Sequence, residues 1–167
     1  DRRVISENTK LDSLNGGQGL NRGRFKVTDT NGASGTVDLN SGNIETIGDL
    51  VRQIDLLGLG LDARVNDAGD GIVLIDTAEG GGIFSVTDIT GSAAKDLQLT
   101  SAAKTVQIDG EDKVVINGST TFKITLEADE SLDDLIERIN DLGKGISASK
   151  FTDGSTLNPF RLSLLSQ

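Results

Sequence analysis

The chain contains no Cys, His, Met, Trp or Tyr, and Pro occurs once, at Pro159. Each absence removes a class of chemistry. Without Cys there is no disulfide framework, no thiolate nucleophile and no zinc ribbon. Without His there is no Ser-His-Asp triad, no axial haem ligand and no imidazole metal site. No remaining side chain changes charge near neutral pH at its ordinary pKa. Five Phe are the only aromatics, a thin supply for stacking on sugars or bases. Basic residues are scarce too: 16 Lys and Arg against 26 Asp and Glu leave a net charge of −10, which repels phosphate backbones. Nucleic acid is therefore not an expected partner. No apolar run approaches the roughly 20 residues of a membrane span, so neither is a membrane. Lacking Met and a signal peptide, the chain is expected to be an internal segment of something longer.

What is present is a repeat. The segment from Thr46 to Gly58, TIGDLVRQIDLLG, aligns with Ser131 to Gly143, SLDDLIERINDLG, at an offset of 85 residues that holds without a gap from Thr46 to Gly69. Identical pairs include Asp49 and Asp134, Leu50 and Leu135, Ile54 and Ile139, Gly58 and Gly143, Gly60 and Gly145, and Ala63 and Ala148. Apolar residues fall on one stripe in each copy: Ile47, Leu50, Val51, Ile54 and Leu57, then Leu132, Leu135, Ile136, Ile139 and Leu142. This spacing predicts an amphipathic helix. Thr46 and Ser131 suit an N-cap, with Asp49 and Asp134 three positions on, and Gly58 and Gly143 suit a left-handed C-terminal cap. About three turns of helix are unstable alone, so each stripe must lie on a sheet.

Alternating or β-branched runs supply the strands: 24–29, 35–39, 61–65, 72–75 and 83–88 around the first helix, and 113–117, 121–126, 146–151 and 160–165 around the second. A short helical piece is expected near Ala93 to Leu97. Tight turns between strand pairs predict antiparallel sheets. The expected fold class is α+β: two repeated units, each a mainly antiparallel sheet with one amphipathic helix packed on a face. Residues 24–103 form the first unit and 104–167 the second, with the boundary near Ser101 to Lys104. Residues 1–23 are expected to complete a preceding unit.

Few residues invite chemistry. Asp129-Glu130 and Asp133-Asp134 flank a helix N-terminus, where the dipole favours negative charge, and are better placed there than as an acid/base pair. The loops Asp29-Thr30-Asn31-Gly32 and Asp67 to Gly71 lack the full spacing and terminal Glu of an EF-hand and read as hairpin turns. Gly58-Leu59-Gly60 and Gly80 to Gly82 are not followed by a phosphate-loop signature. The Ile-Asn pair at Ile139-Asn140 is either a contact surface or a core residue beside a helix-end cap, and the second is favoured because Asn bonds nearby backbone readily. Asp55 at the matching position implies that Asp is tolerated there. Ala63 and Ala148 are small enough for a helix to cross close above a strand. No catalytic residue, no cofactor and no metal site is expected.

The repeated segment resembles the flagellin hook IN motif, a helix ending in Ile-Asn followed by Gly and an apolar-x-Ala strand. Ile139, Asn140, Gly143 and Ala148 carry it in the second copy, and Ile54, Asp55, Gly58 and Ala63 in the first. The tail from Phe160 to Ser166 and the lead-in from Leu11 to Gly19 are similar to segments of the flagellar hook-associated protein 2, or filament cap, family. The resemblance runs from about Leu11 to the end. It implies a non-catalytic structural head module at the extracellular bacterial flagellum, with flagellin and other copies of the cap protein as partners in the full assembly. No sustained heptads occur, so the chain alone is expected to be a monomer or to associate weakly. The alternative reading is an extracellular adhesin-type binding module, against which the shortage of aromatics weighs.

Overall fold

The computed structural model describes residues 4–119, 124–126, 129–141, 146–157 and 159–166. The chain divides into two compact units, Asp1–Thr121 and Phe122–Gln167. Both combine helix with antiparallel strands, so the fold is α+β.

The first unit holds two sheets. In one, β1 (Arg24–Thr28) lies between β2 (Ser34–Asp38) and β5 (Ser85–Thr90). The alternation RFKVT works as expected: Phe25 and Val27 are fully buried while Arg24 and Lys26 face water. The other sheet has the order β3 (Leu61–Val65), β4 (Ile72–Asp76), β7 (Glu111–Asn117), β6 (Lys104–Ile108). Helix α1 (Ile47–Asp55) packs beside β3, and the short helix α2 (Ala93–Asp96) follows β5. Ile47, Leu50 and Ile54 of α1 join Phe25, Leu39, Ile72, Leu74 and Ile116 in one core. Burying such side chains contributes about 1.5–3 kcal/mol each, before entropy is charged against it.

The boundary between units lies later in the chain than the sequence predicts. Residues 104–117 belong to the first unit, because β7 pairs with β4 through Val73 to Asn117, Leu74 to Ile116 and Ile75 to Val115. The cause lies in β4 itself. Its five residues are all buried, so it needs neighbours at both edges and cover on both faces. The hairpin from β6 to β7 turns on Asp109 and Gly110, both at positive φ (53° and 85°), the geometry of a two-residue turn. The expected partner of the 113–117 strand therefore changes. Residues 124–126 are not in a strand, and 121–123 lie outside the described residues.

The segment before Arg24 packs into the first unit, where the sequence reading assigns it to a preceding one. Leu11 is fully buried in its core. The reason is the N-terminus of α1, whose first N–H groups lack partners within the helix. Thr9 carbonyl accepts from Ile47 N–H at 2.9 Å, and Glu7 carbonyl accepts from Gly48 N–H at 2.8 Å.

The second unit contains α3 (Leu132–Asp141) and a hairpin of β8 (Ile146–Thr152) and β9 (Phe160–Ser166). Its stripe is less covered than that of α1: Ile139 is buried, while Leu132, Leu135 and Ile136 are half-buried.

Candidate functional site

The repeat places one local device in each unit: a capped helix, and a strand held by a polar side chain from the helix's last turn. At the start of α1, Thr46 Oγ1 accepts from Asp49 N–H at 3.2 Å, and Asp49 Oδ2 accepts from Thr46 N–H at 3.0 Å. At the start of α3, Ser131 Oγ accepts from Asp134 N–H at 3.2 Å, and Asp134 Oδ2 accepts from Ser131 N–H at 3.0 Å. Both are reciprocal capping boxes with Asp in the usual Glu position. The Thr46 and Ser131 hydroxyls, then the backbone N–H groups, hold the Asp49 and Asp134 carboxyls below the usual carboxylate range. Of the carboxylates singled out at this end, Asp134 caps the helix and Glu130 and Asp133 form ion pairs. Asp133 pairs with Lys150 at 2.6 Å, and Glu130 with Arg138 at 2.6 Å.

At the far end of α3, Asn140 bonds to the backbone of β8. Among the described residues its side-chain bonds go to a strand and not to its own helix end. It accepts from Ala148 N–H at 2.7 Å and donates Nδ2–H to the Ala148 carbonyl at 3.0 Å, filling the open edge of β8 as a strand would. Ala148 is buried under this contact, and Ile139 is buried beside it. In the first unit Ile54 is fully buried, Ala63 is buried, and Ala63 N–H bonds the Asp55 carboxyl. That carboxyl turns toward β3. Its partial burial raises its pKa above the ordinary value, against the opposing effect of the Ala63 N–H, and the nearby Asp62 charge adds to the rise. Gly58 has φ of +65°, as a left-handed helix cap requires. Gly143 lies outside the described residues.

The repeat extends into strand register. In the first hairpin Ala63 faces Leu74 and Val65 faces Ile72. In the second, Ala148 faces Leu164 and Lys150 faces Leu162. The partners of each equivalent residue are themselves equivalent, although the second hairpin has the longer loop.

The Asp-rich loops are turns with committed carboxylates. Asp29 is buried and accepts from Ala33 N–H at 2.9 Å and Gly60 N–H at 3.3 Å. Asp70 accepts from Asn66 at 2.9 Å and from Ser119 Oγ at 2.8 Å. A buried cluster that sequence reasoning missed joins the ends of β1 and β4. Asp76 accepts from Thr30 N–H at 3.0 Å and Thr30 Oγ1–H at 2.6 Å, and Thr30 Oγ1 accepts from Gly80 N–H at 2.8 Å. Gly80 is required there, since a Cβ would lie 2.3 Å from the Thr30 carbonyl oxygen. An apolar groove of about 350 Å³ in the first unit is bordered by Ile5, Leu14, Ile47, Ile72 and Leu97. Its Asp96 carboxylate accepts from Asn21 N–H at 2.8 Å. Among the described residues no group of three or more acidic side chains is placed to hold a metal ion, and no helix is long and apolar enough to cross a membrane.

Comparison with protein-family models, curated proteins and solved structures finds no match to the chain.

Proposed function

We propose that the chain is a non-catalytic structural head module of a bacterial flagellar filament-cap or hook-associated protein, exported from the cell, with flagellin and further copies of its parent as partners. One observation carries this reading. The residues that resemble the hook IN motif, Asn140 with Ala148 and Asp55 with Ala63, are in each unit the residues that bind a helix to a strand edge. A motif whose polar member is spent on backbone serves architecture. Asp49, Asp133 and Asp134 at the helix starts are likewise spent on caps and an ion pair.

The test is genetic and biochemical together. A parent protein lacking these 167 residues should leave its bacterium with short filaments and flagellin released into the medium. Full-length filaments and normal swimming would remove the flagellar reading. Specific binding of the isolated chain on a glycan array would instead favour an adhesin-type module.

A further inference from the structure

Equivalent strands of the two units differ at one edge. β4 has a neighbour on each side, β3 and β7, whereas β9 has β8 on one side and no strand on the other among the described residues. Shared register allows comparison residue by residue. Ile72, Leu74 and Ile75 are 0, 0 and 6% exposed. Their counterpart Leu162 is half-buried, and Leu164 and Leu165 are 56 and 63% exposed. The strand that covers the first set is β7, antiparallel, through Ile116 and Val115.

The pairing of β8 shows which backbone groups of β9 have no strand partner among the described residues. Ala148 gives both its N–H and its carbonyl to Asn140, away from β9. The Ala148–Leu164 pair is therefore a non-hydrogen-bonded pair of the ladder, and the N–H and carbonyl of Leu164 point to the outer edge. Those of Leu162, two residues back, point the same way. In the first unit the matching outward carbonyl, that of Ile72, accepts from Gly118 N–H at 2.8 Å.

We propose that this edge pairs with β9 of a second copy of the chain, antiparallel about a two-fold axis at Ser163, giving a four-stranded sheet in the order β8, β9, β9, β8. The strand is self-complementary in that register. Leu162 meets Leu164 of the second copy, and both are residues with outward backbone groups, so the hydrogen bonds form without a slip. Arg161 meets Leu165, so no like charges face each other; Arg161 also holds Asp153 of its own chain at 2.7 Å. The exposed Leu164 side chains gain the lateral cover that Ile116 gives Leu74. Edge strands of this kind are covered in native assemblies, and an isologous pair is the simplest cover. A pair of seven-residue strands falls among small interfaces, below about 1,200 Å² in total, so the dimer is weak and concentration-dependent. This inference stands independently of the flagellar reading.

Because the chain has no Cys, Ser163→Cys introduces a single thiol at the two-fold axis. A non-hydrogen-bonded pair brings the two Cα atoms to about 4.5 Å, within disulfide reach. Under mild oxidation this variant should form a covalent dimer at least about tenfold faster than Ser101→Cys, an exposed control in the first unit. In the unaltered chain, exchange of the Leu162 and Leu164 amides should slow as concentration rises toward about 1 mM, in step with dimer measured by sedimentation. Leu164→Pro removes an outward N–H and no bond to β8, and should abolish that concentration dependence with the circular dichroism spectrum retained. An unaltered chain that stays monomeric at about 1 mM, with these amides exchanging at one rate throughout, would overturn the pairing and leave the edge to a strand from another protein. That measurement needs no variant, so a misfolded variant does not rescue the proposal.

Discussion

Asn140 grips Ala148 from both sides of its backbone, accepting from the N–H at 2.7 Å and donating to the carbonyl at 3.0 Å. The contact ties the last turn of α3 to the edge of β8, which has no other strand on that side among the described residues. Asn140→Ala should therefore destabilise the second unit by about 1–3 kcal/mol, since two backbone groups lose their partner. Asn140→Asp should cost about 1 kcal/mol at neutral pH, more than the Asp in the first copy suggests, because a carboxylate can accept from Ala148 N–H but has nothing to donate to its carbonyl. No Trp or Tyr is available as a probe, so urea unfolding followed by circular dichroism, with amide exchange in β8, is the measurement. An Asn140→Asp variant as stable as the parent would refute the double-bond account.

Asp55 poses the same question in reverse. Its carboxyl is raised above the ordinary value chiefly by partial burial. A group raised in the folded state stabilises the fold below its unfolded pKa, and that contribution is lost as pH rises through the folded value. At neutral pH that contribution is absent. Asp55→Asn should raise stability at pH 7 slightly, by roughly a few tenths of a kcal/mol (since water screens an exposed side chain), with a gain that shrinks as pH falls below the carboxylate range. Stability curves for the two proteins that run parallel from pH 3 to pH 7 (about the carboxylate range and above it) would sink this prediction.

The caps behave oppositely. Asp49 and Asp134 are lowered by bonds from Thr46 and Ser131. Their contribution is present above the unfolded carboxylate pKa and is lost as pH falls through the lower folded values. Replacing Thr46 by Ala should cost about 1 kcal/mol and weaken the acid-side dependence that Asp49 imparts. Acid titrations of parent and variant that fall with the same slope would show that the hydroxyl does not set the Asp49 pKa.

Helices α1 and α3 were legible in the sequence because helix signals are local. Stripe, N-cap and Asp at the third position all lie within one turn or two of each other. Strand partners were less legible because pairing is decided at a distance. The run from Lys113 to Asn117 is a plain strand, but only β4, buried on both faces, tells it to leave the following helix and join the earlier sheet. The Asp109-Gly110 turn was a readable clue to β6 that the alternation argument passed over. At the motif, burial of Ile54, Ile139, Ala63 and Ala148 followed from size and spacing. The partner of Asn140 did not, since its bond reaches eight residues along the chain to a strand edge.

Equivalent helix residues should not be energetically equivalent. Leu50 is fully buried among Ile47, Ile54, Phe25 and Leu74 in one core, whereas Leu135 at the matching position is half-buried. Leu50→Ala should cost about 2–5 kcal/mol, the range for a cavity in a packed core. Leu135→Ala should cost clearly less, because a half-buried site loses less transfer energy and water can fill what is left. Equal losses in the two variants would mean that the second stripe is covered as fully as the first.

Asp76 and Thr30 make the last case, because they join two sheets through buried polar groups. Both side chains are buried, and Asp76 takes the N–H and the hydroxyl of Thr30 while that hydroxyl in turn accepts from Gly80 N–H. Such a network stabilises only when complete, since each buried group left alone has lost its water. Asp76→Ala should therefore cost about 2–4 kcal/mol, with Thr30 N–H and Oγ1–H both stranded. Thr30→Val keeps the shape but strands the Gly80 N–H and one carboxylate oxygen, and should cost nearly as much. If the three bonds act as one unit, the double variant should lose much less than the two single losses combined. Strict additivity would show instead that the ends of β1 and β4 are held by packing, with the polar cluster a passenger.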